Sequence, residues 1–72
     1  MTYFERMIAL RKQHGYSQQR VSEILHIASR SYQYYEYGQR EPTVSVIIAL
    51  AELYGVSTDY LLGVSDDPRR DL

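Results

Sequence analysis

Apolar side chains recur at Tyr3, Met7 and Leu10, with Phe4 and Ile8 on a neighbouring stripe, and these spacings of three and four predict a helix over 3–14. Gly15 follows where such a helix needs a left-handed residue to close. Ser17 then stands before QQRVSEIL, its hydroxyl placed to accept from the first free amides, and Val21, Ile24 and Leu25 supply the buried stripe of a second helix. A third helix is predicted from Ser29 to Tyr37, with Tyr32 and Tyr35 at helical spacing and Gly38 ending it. Pro42 disfavours helix at Glu41, Thr43 caps a fourth helix over Val44 to Tyr54, and Gly55 closes it. On that helix Val44, Ile47, Ile48 and Ala51 are read as the stripe facing the core, which leaves Val46, Ala49 and Leu53 on an outer apolar stripe. Ser57 caps a fifth, short helix from Thr58 to about Leu62, ended by Gly63. The closing VSDDPRRDL is polar, carries a proline and reads as a tail. Five short helices with brief connections make an all-α domain over 1–63, followed by a polar tail over 64–72.

A chain of 72 residues supports one domain with a core only just large enough, so well-packed helix faces or a second subunit are expected. It contains no cysteine, which removes a disulfide framework, a thiolate nucleophile and the usual zinc ligand sets. No metal or cofactor is expected. The longest apolar-dominated run, Val44 to Leu53, is interrupted by Ser45 and Glu52 and falls far short of the roughly 20 residues a membrane span needs. The N-terminal residues lack the charged-then-apolar build of a signal peptide, so a soluble, cytoplasmic protein is expected.

The net charge of -1 argues at first against a nucleic-acid partner, because duplexes are bound largely by neutralising phosphates. The distribution changes that reading. Between positions 6 and 40, Arg6, Arg11, Lys12, Arg20, Arg30 and Arg40 face only Glu23 and Glu36, a balance of +4. From Glu41 onward, Arg69 and Arg70 stand against Glu41, Glu52, Asp59, Asp66, Asp67 and Asp71, a balance of -4. One half of the molecule is therefore suited to an anion.

The segments LRKQHGYSQQRVSEIL, SYQYYEYGQREPT and LAELYGVSTDYLLG resemble the Cro and C1 repressor type of helix-turn-helix domain, the Xre family, over Tyr3 to Gly63. The motifs are an arginine in the first helix, Gln18 opening the second, YExG ending the third, the REP turn and VSxDYLLG. Each is weak alone, but five in order at family spacing are specific. The resemblance implies a compact five-helix, lambda-repressor-like fold in which helices two and three form the helix-turn-helix. It also implies a regulator of transcription, acting as a repressor, that binds double-stranded DNA with helix three in the major groove.

Carried over position by position, the resemblance places Ser29, Arg30, Gln33 and Tyr34 against base edges, with Arg30 suited to bond guanine O6 and N7 together. It places Gln18, Ser31, Tyr37, Gln39 and Arg40 at phosphates, and it makes Arg11 and Glu36 a structural ion pair joining helices one and three. Of the tyrosines, Tyr32 and Tyr35 fall on buried positions, the Tyr32 hydroxyl expected to reach the edge of the core or a polar group, while Tyr34 and Tyr37 point to the DNA side. Three departures stand out. Ser22 and His26 replace a small residue and a turn glycine, so His26 is expected in the left-handed region. Ala28 replaces the usual cap of helix three, a role expected to pass to Ser29.

The outer stripe of Val46, Ala49 and Leu53 is read as a homodimer interface, whose two-fold symmetry would match a palindromic operator with reading helices about 34 Å apart. Two alternatives compete with a stand-alone repressor: an antitoxin or interaction module that holds a toxin or another regulator by that stripe, and the DNA-binding part of a longer repressor. The start at Met1 and the polar end favour the stand-alone reading. A tyrosine nucleophile acting on DNA is disfavoured, because His14 and His26 are scattered and the basic half holds no acid cluster. No enzyme activity and no small-molecule ligand are expected.

Overall fold

A computed structural model describes residues 1–70; Asp71 and Leu72 of the expected tail lie outside the described residues. The elements are α1 (Tyr3–Gln13), α2 (Gln18–Leu25), α3 (Ser29–Glu36), α4 (Val44–Tyr54) and α5 (Thr58–Leu61), and no strand occurs among the described residues. Four starts are capped by hydroxyls. Ser17, Thr43 and Ser57 accept from the amides of Arg20, Val46 and Tyr60. The Thr2 hydroxyl accepts from the Glu5 amide, and the Glu5 carboxylate accepts in turn from the Thr2 amide, a reciprocal capping box.

All five helices end in the same way. Two backbone bonds cross each end, as in Tyr16 N–H to Arg11 O with Gly15 N–H to Lys12 O, around a residue of positive φ. Glycine fills that place four times, and His26 fills it after α2 at φ 57°, so the tight turn into α3 is made without a glycine. Ser22, one turn earlier, is buried and donates to the Gln19 carbonyl at 2.6 Å, so its hydroxyl is satisfied where a larger side chain would push α2 off its neighbours.

Val21, Tyr32, Leu50, Leu61 and Met7 are almost wholly excluded from solvent and bring all five helices onto one core, joined by Leu10, Tyr35, Val46, Ala51 and Tyr54. Each such apolar side chain contributes on the order of 1.5–3 kcal/mol by burial. The α2 stripe is less deep than expected, since Ile24 and Leu25 are only half-buried.

Two expectations are corrected. The face of α4 is rotated by roughly a quarter turn from the stripe read in the sequence. Val46 is 6% exposed and belongs to the core with Leu50 and Tyr54, while Ala49 and Leu53 are half-buried on the flank. Val44 at 72% and Ile48 at 47% are the exposed apolar residues instead. The packing of α4 onto α2 and α5 sets this orientation. Secondly, Ser29 does not replace the missing cap of α3. Ala28 holds the extended cap conformation and accepts the first-turn bond from Tyr32 N–H, so Ser29 is already helical.

The described part of the segment after α5, residues 64–70, is bonded to the helices. The Ser57 amide donates to the Pro68 carbonyl at 3.0 Å, and Arg6 reaches Asp66 at 3.3 Å. The Arg6 guanidinium is buried face-on over the Tyr60 ring, 3.8 Å from its centre, and its Nε contacts the Met1 sulfur.

A left-handed residue with a β-carbon costs about 1–2 kcal/mol, and glycine's extra freedom in the unfolded chain costs about 0.5–1 kcal/mol. His26→Gly should therefore raise stability by about 0.5–1 kcal/mol, seen as a higher urea midpoint at unchanged m-value. A lower midpoint would mean that the imidazole has a role beyond the turn.

Candidate nucleic-acid interface

The back of α3 is defined by a buried carboxylate. Glu36 is 2% exposed and accepts from four donors. Arg11 grips it with two bonds, Nε to Oε2 at 2.7 Å and Nη2 to Oε1 at 3.1 Å, while Gln18 Nε2 donates to Oε1 at 3.0 Å and the Tyr32 hydroxyl to Oε2. Arg11 uses its remaining Nη1 on the Tyr16 carbonyl at 2.9 Å. The network thus joins α1, the turn after it, the start of α2, and the middle and C-terminal end of α3. Burial by itself would raise the Glu36 pKa, but the bonds from Arg11, Tyr32 and Gln18 and the charge of Arg11 outweigh it and hold the carboxyl below its ordinary value. Tyr32 is pushed up by burial and by its bond to Glu36. The Tyr54 hydroxyl, buried and without a hydrogen-bond partner among the described residues, is pushed up to about 12 by burial and then by the charge of Glu36.

With Tyr32, Tyr35 and Glu36 turned inward, helical periodicity places Arg30, Gln33, Tyr34 and Tyr37 on the opposite side of α3, with Ser29 and Ser31 at its edges. The Arg30 side chain is exposed and forms no ion pair or hydrogen bond among the described residues. Tyr37 is 58% exposed, and Gln33, Tyr34, Ser29 and Ser31 are half-buried. Gln39 and Arg40 follow in the turn, exposed, and the Arg40 guanidinium lies 5.1 Å from the centre of the Tyr34 ring. Gln18, half-buried at the start of α2, spends one amide hydrogen on Glu36 and keeps the second.

The residues singled out in the sequence therefore fall into groups. Arg11, Gln18, Tyr32 and Glu36 meet in the network; Arg30, Gln33, Tyr34, Tyr37, Gln39 and Arg40 share one surface; Val46 is separated from Ala49 and Leu53 by burial. Sequence reasoning missed the bond from Gln18 to Glu36, which ties neighbouring elements without a local signal. It also missed the Thr2 and Glu5 capping box, although the spacing of threonine and glutamate by three is a legible sign of a helix start.

An exposed, partly basic face on the second helix of a tight helix-turn-helix, held from behind by a buried ion pair, defines a class of nucleic-acid-reading domain. The helix-turn-helix family model matches residues 7–61, and the chain belongs to this family, in its Cro/C1-type branch. It is 41% identical over 66 residues to the uncharacterized HTH-type transcriptional regulator YobD of Bacillus subtilis, covering 92% of this chain and 59% of that protein. It is 34% identical to the HTH-type transcriptional regulator ImmR of the same organism, covering 99% of this chain and 56% of ImmR. The chain thus spans little more than half the length of these relatives.

Among solved structures, a transcriptional regulator from Listeria innocua superposes with a TM-score of 0.83 at 28% identity, over 97% of this chain and 65% of that one. The P22 c2 repressor in complex with a synthetic operator gives 0.82 at 25% identity, over 90% and 98%.

The shifted groups set the pH dependence of stability. Glu36 is charged at lower pH when folded than when unfolded, so its contribution is complete above the ordinary glutamate value of 4.5 and is lost as pH falls through its depressed folded value. Tyr32 and Tyr54 resist ionisation when folded, so their contribution is complete below 10.0 and is lost as pH rises above it. Denaturation followed against pH should show both limbs. Glu36→Ala, which strands the Arg11 charge, should cost about 3–5 kcal/mol at neutral pH and flatten the acid limb.

Proposed function

We propose that this chain is the DNA-reading unit of a transcriptional regulator, placing α3 in the major groove of double-stranded DNA in the cytoplasm and acting as a repressor. The observation that carries the reading is the division of α3 into a locked inner face and an outer face of Arg30, Gln33, Tyr34 and Tyr37. The complex of the similar P22 c2 repressor with a synthetic operator supports the same use of this fold.

In this reading Arg30 reads a guanine through its two parallel donors, and Ser29, Gln33 and Tyr34 make the less selective base contacts. Gln18, through its second amide hydrogen, joins Ser31, Tyr37, Gln39 and Arg40 at phosphates. Gln18 thereby couples the DNA backbone to the Glu36 network. Two copies associate through the exposed residues Val44 and Ile48, with Ala49 and Leu53 on the flank, so that a two-fold axis pairs two half-sites.

Selection of bound sequences from random duplexes should enrich a palindrome, and absence of any enrichment would remove the DNA reading. Against the enriched site, Arg30→Ala should relax preference at one base pair per half-site, a loss of about 1–3 kcal/mol of discrimination there. Gln18→Ala should weaken all sequences alike. Unaltered site preference in the Arg30 variant would refute its role. For the dimer, sedimentation of Ile48→Asp should give a monomer where the wild type shows association; a wild-type monomer at high concentration would overturn the dimer.

A further inference from the structure

The turn after α3 is exposed yet held by bonds from both α3 and α1. The amides of Gln39 and Arg40 both donate to the Tyr34 carbonyl, at 3.0 and 3.3 Å. The Tyr3 hydroxyl, from the first turn of α1, donates to the Arg40 carbonyl at 3.2 Å, across 37 positions of sequence. Phe4 packs edge-on against the Tyr3 ring at 5.3 Å and presses on Gly38, where an added β-carbon would come within 3.0 Å of the Phe4 ring. Above the turn, the Arg40 guanidinium sits over Tyr34.

The consequence is mechanical. Arginine has a long, entropically mobile side chain, and fixing it for one phosphate oxygen cancels much of the gain from the contact. Here the backbone carrying it is clamped from below by α1, and the guanidinium plane is guided by an aromatic ring. The core does not require the Tyr3 hydroxyl: it lies at the surface, and the half-buried Tyr3 ring packs against the core by itself.

We infer that Tyr3 is a positioning residue for DNA affinity, its hydroxyl holding the Arg40 backbone so that the guanidinium meets a phosphate without ordering first. Tyr3 itself touches no DNA. The inference rests on the DNA-reading function proposed above, and it assigns to the first turn of α1 a part in binding that sequence preference does not reveal.

The test is a double-mutant cycle of Tyr3→Phe and Arg40→Ala in the full chain, binding the duplex enriched by selection over a series of salt concentrations. Tyr3→Phe alone should lower affinity about five-fold for matched and mismatched duplexes alike, the scale of one lost hydrogen bond, with its melting temperature nearly unchanged. Arg40→Ala should lower the salt slope by about one counterion. In the Arg40→Ala background, Tyr3→Phe should have no further effect, because the group it positions is gone. Equal losses in both backgrounds, or no loss in either, would overturn the inference while leaving the DNA-reading function intact. If the wild type binds no duplex at all, the functional reading falls, and the inference with it.

Discussion

The Glu36 carboxylate is the point on which the arrangement of the first three helices depends. A charge taken out of water costs several kcal/mol, and it is tolerated only when its oxygens are filled. Arg11, Gln18 and Tyr32 fill them, and each comes from a different place: the end of α1, the start of α2 and the middle of α3 itself. An apolar cluster of similar volume would hold the helices together equally well, but it would tolerate small rotations that hydrogen bonds of fixed direction do not. What the network supplies is the angle of α3, and with it the direction in which Arg30, Gln33, Tyr34 and Tyr37 face.

The same carboxylate explains the choice of tyrosine at position 32. An isoleucine or valine would fill the core, but it would leave one oxygen of Glu36 with only its bond to Arg11. The phenol supplies apolar area and a donor together. Its neighbour Tyr54 makes no such bond among the described residues, and burial, followed by the charge of Glu36, keeps its hydroxyl protonated into the alkaline range. The four tyrosines of α3 and its end thus do different work, although they stand within six positions of one another.

Helix boundaries were legible because hydroxyls and glycines mark them, and the inner pair Tyr32 and Tyr35 was legible because burial follows period. The left-handed conformation of His26 was also foreseen, from the place the turn requires one. The α4 face was misread, since VSVIIALAELY is apolar almost all round and its period is nearly flat. A finer sign was present. Ser45 and Glu52, its two polar residues, lie seven apart and so mark one side, and that side is the exposed one beside Ile48. The clasp of Arg6 on Asp66 and the bond from Tyr3 to Arg40 had no such sign, because each joins residues far apart in the chain.

Support along α3 is uneven, and the gradient has a direction. Its C-terminal end is bound by Arg11, Gln18, Tyr3 and Phe4 through Glu36, Gly38 and Arg40. Its N-terminal end begins at Ala28 with no side-chain cap, a deficit of about 1 kcal/mol relative to serine or threonine. Sequences depart from local stability rules chiefly where function asks for it. The weakly held end is the one that carries Arg30, whose proposed task is to discriminate, and the firmly held end carries Arg40, whose proposed task is to anchor. A base contact gains from small adjustments of the first turn that a capping bond would resist, whereas a phosphate contact gains from a carrier that does not move. In the proposed reading the missing cap and the bonds beyond Glu36 divide the work, affinity resting on the more firmly held end of the helix and selectivity on the uncapped end that carries Arg30.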